Sequence, residues 1–201
     1  MDSSLVISPP VHYFGTPVML LSTLMPDGRT TNITPISSGW ALGSTYVLGL
    51  GRGGQALRNL EEHPELVINL PSHDAAAAIE RIAPTTGSAV VPDAKRPAYR
   101  HEPDKWGLGG FTPLPSECVA PARIAQCPVQ IEARVIRTTP LDDADDAMVV
   151  HARIVRTHAH EPIIIPGTSH IDVQRWTPLY YTFRHYFAQG AAVGANFRVE
   201  A

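Results

Sequence analysis

Nineteen prolines and fifteen glycines are spread along 201 residues. That many helix breakers and turn formers limit helix and demand frequent reversals, so strand and loop are expected to dominate. A hydrophobic content of 44% against 17% charged residues supplies a core and excludes wholesale disorder. The length fits one domain over residues 1–201 better than two. No run approaches the roughly 18 apolar residues of a membrane span. Asp2 stands where a secretory leader would carry positive charge, and Pro9-Pro10 interrupts the first apolar stretch. A soluble, cytoplasmic protein with no membrane partner is expected. Sixteen basic against nineteen acidic residues give a net charge of −3 with no basic block, which disfavours nucleic-acid binding. Cys118 and Cys127 lack CxxC spacing and read as free thiols.

Turn chemistry and periodicity place the elements. Pro17–Thr23 and Thr30–Ile33 flank the turn Pro26-Asp27-Gly28 and predict a hairpin. Thr45–Leu50 reads as a strand. Gln55–Glu62 has helical spacing, with Ala56, Leu60 and Leu57 turned inward and a stop at His63-Pro64. Leu66–Leu70 is a further strand, and Asp74 is placed to cap a helix over Ala75–Ile82 whose alanines fit close packing. Ala83–Gln126 is a long excursion broken by prolines. Val129–Thr138 and Met148–His158 alternate well enough to pair as a hairpin, joined by the acidic loop Asp142–Asp146, which reads as solvated. The aromatic tail Tyr180–Phe187 fits either strand or helix.

Three stretches bear on chemistry. Gly49–Gly54 matches GxGxxG between a strand and a helix. A dinucleotide fold would require alternating βαβ units and an acid after the next strand; that strand ends in Asn69-Leu70-Pro71 instead. What remains is either an ordinary turn or an Arg-bearing loop at a helix N-terminus suited to phosphate. Thr30–Gly39 concentrates hydroxyls and an amide, as a polar strand end or as a surface for a heterocycle edge or phosphate. His158 and His160 would share a strand face, but no third metal ligand is evident. Neither a GxSxG elbow nor a cysteine-nucleophile signature appears.

In order, PVMLLSTLMPDGRTTNITPIS, GQALRNLEEHPELVINLPS and DKWGLGGFTPLPSECVAPARIAQCPVQIEARV resemble the flavin reductase-like family of FMN-binding split β-barrels, in its flavoredoxin-like branch. HARIVRTHAHEP and YYTFRHYFAQG continue the match more loosely, so nearly the whole chain is covered. The resemblance implies a mainly β fold with a few helices, a split β-barrel of the flavin reductase type. It implies a homodimer with FMN held noncovalently near the interface, and NADH or NADPH as co-substrate. Asn32 falls on the family's Asn after the first hairpin, and Thr34, Pro35, Ile36, Ser37 and Ser38 on the segment lining the flavin ring. The helix start T-x-x-N falls on Ala56-Leu57-Arg58-Asn59, and Lys105 on a lysine near the flavin phosphate or ribityl chain. The family's Thr is Ala56 here, which removes a hydroxyl; Gln55 or Arg52 would replace it, or FMN binding is weakened, or the site serves another ligand. No Gly-His motif of the two-component reductases is seen.

The expected function is therefore an FMN-binding oxidoreductase, an NAD(P)H-dependent flavin reductase passing hydride through N5 to a small-molecule substrate or a partner oxygenase. Such a flavin site needs no separate acid-base pair, and no catalytic residue is singled out. The alternatives are a flavin-binding protein in electron transfer or ligand binding without reductase turnover, and a nicotinamide enzyme built on Gly49–Gly54.

Overall fold

The computed structural model describes residues 4–142 and 146–197. Asp143 and Asp145 of the acidic loop lie outside them. The main sheet holds seven antiparallel strands: β1 Met19–Leu24, β2 Thr31–Ile36, β3 Gly39–Leu42, β4 Thr45–Gly51, β5 Glu65–Leu70, β6 Val129–Pro140 and β7 Ala147–Ala159, in the order β2-β1-β5-β6-β7-β4-β3. Its two edges, β2 and β3, are joined only by Ser37 and Ser38. Three virtual bonds span no more than about 11 Å, so the sheet must curl until its edges nearly meet. The observed ladders leave them unpaired. The result is a barrel split along one seam, with Thr34–Ser38 at the split.

Strand β1 is buried along its whole length because it lies between two cores. Met19 and Leu21 face one, with Leu48, Leu66, Ile68 and helix α1 (Gln55–Glu62). Leu20 joins the other, with Ile33, Ile124, and Ile79 and Ile82 of helix α2 (Ala76–Ile82). Alternation along a pleated strand sends neighbours to opposite faces, so a run with no polar face needs apolar matter on both sides.

The first hairpin forms as expected, with Met19 opposite Ile36 and Leu24 opposite Thr31. The carboxylate of Asp27 accepts from the amides of Arg29 and Thr30 at 2.8 Å each and fixes its turn. The expected pairing of β6 with β7 is present, with shifts of register between Glu132 and Ala133 and between Val135 and Arg137. Asp74 does not cap a helix: it lies inside a 3-10 turn, His73–Ala75, and α2 begins after it. The dinucleotide reading of Gly49–Gly54 is overturned, because β4 and β5 run antiparallel with two strands between them. The aromatic tail resolves to strands β8 (Leu179–Thr182) and β9 (His185–Ala188), which form a small sheet with Thr16–Pro17. Within the excursion a short helix, α3 (Lys105–Gly109), is capped by Asp104, whose carboxylate accepts from the amide of Gly107, and ends at Gly110 with φ 73°. No helix among the described residues is long and apolar enough to cross a membrane.

Candidate functional site

Three adjoining cavities follow β2 past the split. The first, of about 280 Å³, lies beside the hairpin turn and is lined by Asp27, Thr30, Asn32, Gly87, His101 and Lys105, among others. The second, of about 120 Å³, is walled by Thr34, Pro35, Gly54, Gln55, Thr85, Thr86, Lys95, Tyr99 and Lys105. Lys105 belongs to both. The third, of about 620 Å³, shares Pro35 and Tyr99 with the second and opens between Ile36, Ser37 and the β8-β9 hairpin. Together they make one groove.

Lys105 is the central group of that groove. It is 3% exposed, and its Nζ donates to the carbonyl of Ile33 at 2.9 Å. Burial pulls its pKa down from the usual lysine value to about 8. An ammonium has three protons to donate, and this one hydrogen bond is the one it makes among the described residues. Its helix, α3, is held to β2 by Trp106, whose indole N–H donates to the carbonyl of Thr31.

Asn32 is buried, and its Nδ2 donates to Thr34 Oγ1 at 3.0 Å. Gly87 backs it so closely that a Cβ there would stand 2.6 Å from Asn32 Oδ1, so any larger residue at this position would displace the Asn32 amide. Gln55 opens α1 at the wall of the second cavity. Among the described residues no side chain caps this helix at Gly54, which leaves its first backbone N–H groups to water or a ligand. Gln55 Nε2 also donates to Asn59 Oδ1 at 2.7 Å. Ser38 Oγ and Tyr13 Oη are 2.6 Å apart where the groove meets the sheet edge.

The structure thus brings Asn32, Thr34, Pro35, Ile36, Ser37, Gln55 and Lys105 to the groove, with Ser38 at its end. It does not bring Arg52, Ala56 or Asn59 there. Arg52 is exposed and lines none of these cavities, and its amide donates to Asp146 at 3.1 Å. Ala56 is 2% exposed within the first core. Asn59 is fully buried, its Nδ2 donating to Thr23 Oγ1 at 2.9 Å, and so acts by positioning Gln55. The sequence reading missed Thr85, Thr86, Lys95 and Tyr99, all in the excursion; the paired hydroxyls of Thr85-Thr86 were the available signal. His158 donates from Nε2 to Glu132 Oε1 at 2.7 Å, away from the groove residues.

The profile of the family described as the flavin reductase like domain matches residues 11–190. The chain belongs to the flavin reductase-like family. It is 44% identical over 195 residues to YdfE of Bacillus subtilis (strain 168), described as an uncharacterized protein, covering 96% of this chain and 93% of that one. In fold it is similar to the flavoredoxin of Desulfovibrio vulgaris (Miyazaki F), with a TM-score of 0.79, 20% identity and 98% of each chain covered. It is also similar to nitrilotriacetate monooxygenase component B from Bacillus cereus, with a TM-score of 0.75, 19% identity, and 97% of this chain and 100% of that one covered. Membership of this flavin reductase-like family supports a flavin-related oxidoreductase on a split-barrel fold.

Proposed function

We propose that this flavin reductase-like protein holds FMN noncovalently in the groove and is an NAD(P)H-dependent flavin reductase. The observation that carries the reading is Lys105, a buried ammonium with a single backbone acceptor, placed between two cavities whose shared surroundings include the uncapped start of α1. A cation so poorly compensated within its own chain calls for an anion. The groove answers with Lys105, Lys95, Thr86, Gln55 and the α1 amides for a phosphate and ribityl chain, with Thr85, whose hydroxyl donates to the carbonyl of Ile82 at 2.6 Å, as wall, and with Asn32 and Thr34–Ser38 for a planar heterocycle. FMN supplies hydride acceptance and donation at N5. The chain's part is to bind, orient and exclude water, which is why the groove needs no acid-base pair of its own.

The reading includes one domain over residues 1–201, a homodimer, a cytoplasmic setting and a partner oxygenase. Trp40 on the edge strand β3 is 56% exposed beside an apolar cavity of about 610 Å³, and Phe183 and Phe187 of the C-terminal hairpin are about half exposed; a second copy would cover such surface. The likeness to a monooxygenase component favours an oxygenase as consumer of the reduced flavin.

An absorption spectrum of the purified protein between about 350 and 500 nm tests the flavin, and anaerobic NADH or NADPH tests the donor. A yellow protein bleached by either nucleotide is expected. A yellow protein that neither bleaches would be a flavin binder without reductase turnover, and one that takes up no FMN would overturn the reading.

A further inference from the structure

Beyond Pro35 and Tyr99 the groove widens into its largest cavity, whose outer wall is the β8-β9 hairpin. Strands β8 and β9 pair Tyr181 with Tyr186 and Thr182 with His185, so Phe183 and Arg184 form a two-residue connection. Both have positive φ, 44° and 68°. Hairpins of this length usually place Asn-Gly there, because glycine and the short polar asparagine tolerate the left-handed region that bulkier side chains strain. The surroundings impose the strain. Phe183 N donates to the carbonyl of Tyr13 at 2.7 Å, Gly15 N donates to Thr182 Oγ1 at 2.9 Å, and the rings of Phe14 and Phe183 stack with centroids 6.2 Å apart. A backbone outlier held by this many contacts points to a role for the side chain it presents.

That side chain is Arg184, which lines the cavity, is exposed, and has no carboxylate partner among the described residues. Four tyrosines, at positions 13, 99, 181 and 186, supply aromatic wall. The one acid in the wall among the described residues, Glu80, accepts a hydrogen bond from Tyr186 Oη at 2.7 Å. We propose that this cavity is a binding subsite for a planar aromatic monocarboxylate, its ring among the tyrosines and its carboxylate on the Arg184 guanidinium. A guanidinium matches a carboxylate with two parallel bonds, and tyrosine walls favour a flat ring. Glu80 sets the charge limit: a ligand bringing several phosphate charges would meet repulsion that a single carboxylate directed at Arg184 avoids. That the ligand lies beside flavin rests on the function proposed above; the subsite itself does not.

Calorimetric titration of the FMN-loaded protein with benzoate, benzyl alcohol and cyclohexanecarboxylate tests this, together with Arg184→Gly. Glycine relaxes the φ of 68°, so the variant removes the guanidinium while holding or raising the thermal midpoint. Benzoate is expected to bind about tenfold or more tightly than either analogue. Arg184→Gly is expected to bring benzoate down to the level of benzyl alcohol, with FMN affinity unchanged. Equal binding of benzoate and benzyl alcohol, benzoate binding indifferent to Arg184→Gly, or loss of FMN in that variant would overturn the inference. So would nicotinamide mononucleotide binding through Arg184 where benzoate does not bind. If FMN fails to load but benzoate still binds through Arg184, the flavin reading falls and the subsite stands.

Discussion

Two buried ions, Glu132 and Lys105, are accommodated in opposite ways. Glu132 on β6 is fully buried, and burial alone would push its carboxyl up. The amides of Glu117 and Cys118, at 2.9 and 2.6 Å, together with His158 at 2.7 Å, outweigh that and hold it below the usual value. Its charge is answered within the chain. Lys105 is buried almost as deeply but has one carbonyl for three protons, and burial pulls its pKa down to about 8. The first arrangement ties the Glu117–Cys118 loop to the sheet and is structural. The second leaves two protons without an acceptor among the described residues, and the proposed function fills that place with an anion from outside.

The largest effect should come from the completed ion. Glu132→Ala leaves two backbone amides and His158 without their acceptor and should cost about 3 kcal/mol or more in chemical denaturation. FMN affinity of the folded fraction should stay close to wild type. Lys105→Met should do the reverse: near neutral pH the apoprotein holds or gains stability, because the variant removes a charge whose burial is unfavourable, and FMN affinity falls by about 1.5–3 kcal/mol in calorimetric titration. If both variants lost stability and FMN together, the distinction between the two ions would be wrong.

Titration sharpens the same contrast. Because the folded state holds Lys105 below the unfolded value of 10.5, the unfolded chain binds more protons between about pH 8 and 10.5. Lys105 should therefore make the apoprotein more stable as pH rises across that window, by up to roughly 3 kcal/mol. FMN affinity should fall over the same window as the ammonium is lost. Lys105→Met should lose the Lys105 contribution to both slopes, leaving in stability the opposite trend of the Cys127 thiol and the Tyr186 phenol, both pushed up by burial. Glu132 works at the other end: with its carboxyl held low, its contribution is present above the ordinary carboxylate range and is lost as pH falls through its folded value.

What could be read from the sequence follows a related division. Strands β1, β2, β4 to β7 and helix α1 announce themselves because alternation and 3.6-residue spacing are local records of which face is buried. Strand β3 escaped because Gly39-Trp40-Ala41-Leu42 lies at an edge with its last three residues exposed, so burial left no pattern. Helix α3 escaped because five residues carry too little periodicity; it depends on the Asp104 cap and on Trp106 reaching Thr31 from far along the chain. The groove divides likewise. Asn32 and Thr34–Ser38 stand out by their density of polar groups as well as by resemblance, Lys105 by resemblance and Gln55 as the neighbour of the missing Thr, whereas Thr85, Thr86, Lys95 and Tyr99 reach the same cavities by tertiary contacts that no spacing encodes.

Ala56 is where pattern and resemblance disagreed. The spacing that turns Leu60 inward turns Ala56 inward with it, four residues earlier on the same helix face. Its 2% exposure accords with that. Ala56→Thr should therefore overpack the core and bury a hydroxyl, costing about 1–2 kcal/mol of stability, with FMN affinity unchanged. Tighter FMN binding in fluorescence titration would mean that the helix start is a phosphate contact after all.

The smallest effect is expected at Arg52. Its place before α1 made it a natural phosphate ligand in the sequence, but its side chain lies in solvent outside the groove while its amide bonds Asp146. Under the proposed function the positive charge for the phosphate comes instead from Lys105 and Lys95, which line the second cavity. An exposed cation separated by solvent from its target acts through a screened field, so Arg52→Ala should change FMN affinity by less than about 0.5 kcal/mol at physiological salt. Riboflavin, which lacks the phosphate, supplies the control. A loss of about 1.5 kcal/mol or more for FMN but not riboflavin would show a charge-assisted bond, and would mean that the Gly49–Gly54 turn closes over the phosphate once FMN is bound. Equal titrations for wild type and variant would leave Lys105 and Lys95 as the cations that answer it.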